Sequence, residues 1–222
     1  NALIIRTPMG GRRGYGPTHS QSIEKYFLGI PNFNVIAINK YSNLKEIYKN
    51  IISLNLKTLI IENKTDYGSI INFEQGQINE FNFKSYGYGI DNILELNLEN
   101  DNDSQISLIC YGGTLSLAED ISKSLFIDYE LKVKIFVITN LSKINKNFFT
   151  KKLNKNNLNI IIEEGTEYSN FSSEFSATLI DFNIHRLASK VSIIPNNSEL
   201  ENKYLINKDM IKKYILEKTD ND

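Results

Sequence analysis

The sequence has no tryptophan, a single cysteine, two histidines and four prolines. With Cys110 alone, no internal disulfide can form, and a reducing compartment, the cytoplasm, is the expected location. No apolar run approaches the roughly 20 residues that a membrane-spanning helix needs. Charge of one sign is also missing: 25 basic residues face 26 acidic ones. That balance gives no global attraction to nucleic acid or to an anionic membrane. No short-period repeat is present. What remains is an ordinary folding mixture, 41% hydrophobic and 23% charged over 222 residues, enough for one large domain or two small ones.

The scarce residues are unevenly placed. Pro8, Gly10, Gly11, Arg12, Arg13, Gly14, Gly16 and Pro17 crowd one loop, which leads to His19, one of the two histidines. Before it, residues 2–6 read as a continuous buried strand. After it, Ile23, Tyr26 and Phe27 at i, i+3 and i+4 predict a helix from His19 to Leu28, stopped by Gly29 and Pro31. Val35–Ile38 is the next strand. Ser42 is the expected N-cap of a helix carrying Leu44, Ile47, Tyr48, Ile51 and Ile52, and Thr58–Ile61 is a third strand. Strands alternating with helices predict a mostly parallel α/β sheet. Asn1, followed at once by core-like Ala2–Ile5, predicts an internal piece of a longer chain, a cloned domain or a processed product.

From about Lys64 to Asp103 the pattern changes. Aromatic, Asn and Gly residues mix, Ile78, Phe81 and Phe83 suggest a short hairpin, and Glu99–Asp103 is a polar turn cluster. The α/β grammar then restarts. Strands are predicted at Ile106–Tyr111, Val133–Ile138, Asn159–Ile162 and Val191–Ile194. Helices are predicted from Gly112-Gly113-Thr114 onward, over Lys143–Leu153, over Ser172–Ile180 and over Lys208–Leu216.

The string Gly10-Gly11-Arg12-Arg13-Gly14-Tyr15-Gly16-Pro17-Thr18-His19-Ser20-Gln21-Ser22-Ile23-Glu24, with Phe27–Pro31, resembles the β subunit of the thiamine-diphosphate-dependent first component of 2-oxoacid dehydrogenase complexes, in the transketolase superfamily. Ile61-Glu62-Asn63, Leu108–Gly113, Ile162–Gly165 and Leu200-Glu201…Tyr204-Leu205…Asp209…Ile211 extend the likeness over nearly the whole chain. It implies the end of a pyrimidine-binding α/β domain over residues 1–64, a connection over 65–103, and a transketolase C-terminal three-layer α/β domain over 104–222. It also implies thiamine diphosphate and magnesium shared with or bound by an α subunit, β–β self-association and docking to a lipoyl acyltransferase core. The family's glutamate for the aminopyrimidine would lie upstream of Asn1.

His19 matches the family's β-subunit active-site histidine. Acyl transfer to lipoyl breaks an S–S bond, and an imidazole can supply the proton that one sulfur then takes. Arg12 and Arg13 either meet an anionic substrate or the partner subunit, or form a solvated pair. The glycines of residues 10–16 are not a P-loop, because no Gly-Lys-Ser/Thr follows. His185 reads as a surface or capping residue and Cys110 as a small core residue. Glu163 and Glu164, adjacent on a strand, point to opposite faces and serve a strand end and the partner interface. The family's monovalent-cation loop corresponds to Ile51–Leu56, where Leu54 and Leu56 replace its acidic and amide residues. Two other readings stand beside the dehydrogenase: a non-catalytic assembly module, and a thiamine-dependent acyl-transfer enzyme of a specialised pathway. An incomplete first domain also predicts exposed apolar surface and self-association.

Overall fold

The computed structural model describes residues 1–68, 76–78, 80–98 and 103–219. Of the polar run Glu99–Asp103, only Asp103 falls within them. A first unit holds β1 (Leu3–Met9), the four-residue helix α1 (Gly16–His19), β2 (Asn34–Ile38), α2 (Leu44–Ser53) and β3 (Lys57–Asn63). Its three strands are parallel in the order β1-β3-β2. The second unit is built on a seven-stranded sheet in the order β10-β9-β7-β8-β6-β5-β4. Its strands are β4 (Gly76–Ile78), β5 (Phe81–Tyr86), β6 (Ile93–Asn97), β7 (Ile106–Cys110), β8 (Val133–Ile138), β9 (Leu158–Thr166) and β10 (His185–Ser189). The run β10-β9-β7-β8 is parallel, and β6, β5 and β4 continue the sheet antiparallel. Helices α3 (Thr114–Tyr129), α4 (Lys146–Lys152), α5 (Phe171–Thr178), α6 (Ser198–Tyr204) and α7 (Lys208–Thr219) complete it. This is the α/β class that the alternating pattern predicts.

Hydrogen bonding joins the sheets. Ala37 N–H donates to the Thr139 carbonyl at 2.9 Å, and Leu141 N–H donates to that of Val35 at 2.8 Å. One apolar cluster runs through both units, with Met9, Val35 and Ile61 from the first and Ile109, Phe136, Phe149 and Phe175 from the second. Phe81 and Phe83 of the 65–103 stretch are buried in the core of the second sheet.

Four local expectations are corrected. β1 is not a buried strand. It lies at the edge of its sheet, and Leu3 and Ile5 are 48% and 42% exposed. No helix runs from His19 to Leu28. Pro17 favours the first turn of α1, Ser20 ends it, and only a 3-10 turn at Glu24–Tyr26 follows. Ile23, Phe27 and Leu28 do pack inward, but Tyr26 is 63% exposed. Val191–Ile194 is not a strand. The chain pairs with β9 earlier, over His185–Ser189, and leaves the sheet through a register shift at Ala188/Ser189. Finally, Asn43 caps α2 by accepting the Glu46 N–H, while Ser42 Oγ accepts the N–H of Asn39.

Candidate active site at the junction of the two units

Parallel strands gather their carboxyl ends. The β1–β3 register sets Met9 beside Asn63, so the loop after β1 starts next to the segment after β3. A crevice of about 180 Å³ opens at these ends, lined in part by Lys40, Glu62, Asp66 and Tyr67. In it Arg6 Nε meets Glu62 Oε1 at 2.5 Å, and the Tyr67 hydroxyl donates to Glu62 Oε2 at 3.1 Å. Burial pushes the Asp66 carboxyl up to about 6.

The glycine-arginine loop crosses to the second unit, where buried carboxylates take its donors. Gly11 N–H donates to Glu164 Oε1 at 2.8 Å, and Gly14 N–H donates to Glu201 Oε2 at 2.7 Å. Arg12 Nε lies 3.6 Å from Glu164 Oε2, and its Nη2 donates to the Ile206 carbonyl at 2.6 Å. Arg13 donates to the Lys64 carbonyl at 3.0 Å. Burial raises the Glu164 carboxyl, opposed by Arg12 and the Gly11 N–H. Both arginines are therefore engaged within the chain, Arg12 as a tie between the units.

Asn63 explains two glycines. Its buried side chain lies where a Cβ on Gly10 or on Gly113 would stand, 2.6 Å and 2.1 Å from Nδ2 respectively. Gly10 also holds φ +91°, a conformation that L side chains resist. Asn63 Oδ1 accepts the N–H and hydroxyl of Thr65, so it cannot swing away without losing both. Gly113→Ala should therefore cost about 1–3 kcal/mol through overpacking, read as a lower urea midpoint at an unchanged slope. An unchanged midpoint would show that Asn63 yields freely.

His19 is the last residue of α1 and is exposed. The Lys64 ammonium binds its carbonyl. On either side in sequence, Pro17 and Ser20 line a cavity of about 410 Å³ that both units wall, with Tyr26, Glu164, Val191 and Tyr204 among the other residues. Glu163 and Glu164 do face opposite ways, as their alternation predicts. Both, however, are satisfied inside the chain: Glu163 accepts the Ser172 N–H at 3.0 Å and the Tyr111 hydroxyl at 2.6 Å. Cys110 is fully buried in the core, and burial pushes its thiol up. His185 is half-buried at the start of β10, its Nδ1 2.7 Å from the Tyr214 hydroxyl, and burial lowers its pKa. Sequence reasoning missed the roles of Asn63, Tyr111, Glu24 and Glu201. All four sit inside the strings quoted above, but only folding shows that they meet.

This chain does not by itself compose a diphosphate cradle. The N–H groups of Gly11 and Gly14 and the Arg12 guanidinium already serve Glu164, Glu201 and the Ile206 carbonyl. A diphosphate there would face two buried carboxylates.

No protein-family model matches the chain, and no curated protein matches its sequence. Solved structures do resemble it. A split-gene transketolase, described as an inactive beta4 tetramer, superposes with a TM-score of 0.69 at 12% identity, over 96% of this chain and 66% of that one. Transketolase from Campylobacter jejuni gives 0.64 at 13% identity, over 96% of this chain and 31% of its own length. A transketolase mutant from Pichia stipitis gives 0.66 at 14%, over 96% and 29%. The chain thus spans under two thirds of each of these proteins. With 96% of its length matched in this way, the chain has the fold of a transketolase-type α/β protein.

Proposed function

We propose that the parent protein is the β subunit of a thiamine-dependent 2-oxoacid dehydrogenase, which acts with an α subunit and passes an acyl group to a lipoyl domain. The observation that carries this reading is the placement of the 10–24 string. The loop is tied to the second unit at Gly11 and Gly14 by buried carboxylates, and the histidine it leads to is exposed, with its near neighbours Pro17 and Ser20 lining a cavity walled by both units. When lipoyl sulfur takes the acyl carbon, the S–S bond breaks and its electron pair stays on the second sulfur. The His19 imidazolium gives that sulfur a proton. Thiamine diphosphate and magnesium, in this reading, are held by the α subunit, because the donors of this chain's loop are occupied. The lipoyl acyltransferase core is a further partner. Self-association of β chains is supported by the exposed Leu3, Ile5, Ile52 and Leu54 on the first unit. The deciding experiment is reductive acylation by the complete α–β enzyme carrying His19→Ala, argued in the Discussion.

The occupied loop donors favour a second reading for this chain on its own, as an assembly module. Titrating the 222-residue chain with thiamine diphosphate and magnesium in a calorimeter should give no binding heat. Micromolar binding would refute that reading.

A further inference from the structure

Three buried groups at the junction form a chain that the proposed acyl transfer does not use. The Tyr111 hydroxyl lies 2.7 Å from Oε1 of Glu24 and 2.6 Å from Oε1 of Glu163. Glu24, Tyr111 and Glu163 are 1%, 2% and 0% exposed. A phenol has one proton, so it can donate to only one of the two carboxyl groups at a time. If both were ionised, the second contact would set a carboxylate against an oxygen lone pair in the interior. A further proton must therefore sit on one of them.

The surroundings identify which. Glu163 is built for a charge: Oε1 also accepts the Phe171 N–H at 3.2 Å, and Oε2 accepts that of Ser172 at 3.0 Å. Both N–H groups belong to the first turn of α5, where the helix dipole favours an anion. Glu24 has less support: apart from Tyr111, only its own backbone N–H favours the charge, and its Oε2 has no hydrogen-bond partner. A neutral carbonyl can stay unpaired there at modest cost, whereas half of a charge cannot. The charged groups around it give little relief. On β9 stand Glu163 and Glu164, the latter facing Arg12. On the segment itself, Lys25 turns to Thr166 Oγ1 at 3.0 Å. On β10, Arg186 is bound to Ser172 Oγ at 3.1 Å and to the Glu167 carbonyl, and no bond joins it to Glu24.

We infer that Glu24 is a neutral carboxylic acid in the folded protein, donating to Tyr111, which donates to an ionised Glu163. This shared proton clasps segment 17–26, with His19 on it, to the second unit. Raising the pH opens the clasp. The direction of titration agrees: burial, then the charge of Glu163, pushes Glu24 up to about 7 from 4.5. Burial raises Glu163 as well, but the Tyr111, Ser172 and Phe171 donors oppose it. An acid with a raised folded pKa adds stability that is complete below the unfolded value and is lost as pH climbs through the folded one. The window therefore runs from about pH 4.5 to about pH 7.

Hydrogen-exchange mass spectrometry of this chain at pH 6 and pH 8, corrected for intrinsic exchange, reads the clasp directly. Protection of peptides covering 17–28 should fall about tenfold from pH 6 to pH 8 in the wild type. In Glu24→Gln, whose amide donates to Tyr111 but cannot ionise, it should stay within about twofold. The wild-type-minus-Glu24→Gln infrared difference spectrum at pH 6 should contain the carbonyl band of a protonated acid. Glu163→Gln should weaken the clasp at both pH values, since one of its oxygens becomes an NH2 facing N–H donors. Equal wild-type protection at the two pH values, an undiminished fall in Glu24→Gln or a missing acid band would overturn the inference. So would a pH response abolished by Glu163→Gln and kept by Glu24→Gln, which would place the proton on the other carboxyl.

Discussion

His19→Ala in the complete α–β enzyme should lower the rate of lipoyl-domain acylation by about 10²–10⁴-fold, the range for loss of a positioned proton donor. The same variant should retain oxoacid decarboxylation near the wild-type rate when a soluble artificial oxidant replaces the lipoyl group. The separation follows from the proposed role, because the proton is needed only by the leaving sulfur and the oxidant has none. His19→Asn, which keeps a polar side chain of similar reach but no titratable nitrogen, should behave like the alanine variant. Acyl-lipoyl product counted by mass spectrometry, beside a dye-reduction assay, supplies both rates. Equal loss in the two assays would move His19 to an earlier step or to folding. No loss in either would remove it from the chemistry. Because its side chain is exposed and only its carbonyl is bound to Lys64, the substitution should leave thermal stability within about 0.5 kcal/mol. A folding artefact can thus be told from a lost proton donor.

Phe175→Ala should destabilise the chain by about 3–5 kcal/mol, the cost of emptying a large aromatic site in a packed core. Phe175 is fully buried on α5. Its ring meets Phe149 edge-on at 4.8 Å and 82°, and Phe171 at 5.9 Å. This aromatic cluster seats α5, the helix whose first N–H groups hold Glu163. Losing the ring therefore loosens the support of the junction as well as the core. For a chain of this size, each kcal/mol lowers the melting temperature by about 2–4 °C, so a fall of roughly 6–20 °C is expected by calorimetry. Ile180→Ala, at a position 79% exposed, is the control and should stay within about 0.5 kcal/mol. A Phe175→Ala shift below about 2 °C would mean that neighbouring rings collapse into the space.

Much of the strand framework was legible because buried parallel strands are written as continuous runs of Ile, Leu and Val. Val35–Ile38, Thr58–Ile61, Ile106–Cys110 and Val133–Ile138 are such runs, and each is a strand. The misses have physical causes. β6 carries Glu95 in its middle, and that carboxylate is tolerated because Lys152 reaches it at 3.0 Å across 57 residues of sequence. β10, His-Arg-Leu-Ala-Ser, is a sheet-edge strand with little apolar signal, while the more apolar Val191–Ile194 has no neighbouring strand and stays exposed at Val191 and Ile193. The helix expected over His19–Leu28 is interrupted by Ser20–Ile23, which leads Glu24 inward to Tyr111. Local periodicity cannot anticipate a bond made 87 residues away.

The residues alone determined the α/β alternation, the isolation of Cys110 in a core strand and the opposite facing of Glu163 and Glu164. Each of these follows from short-range periodicity and from which side chains water rejects. Only the tertiary structure decided that Arg12 is a tie, that Asn63 occupies the space left by two glycines, and that one phenol stands between two carboxyl groups. Those outcomes depend on distances between residues far apart in the chain, where burial strips away water and each polar atom must find a specific partner or a proton.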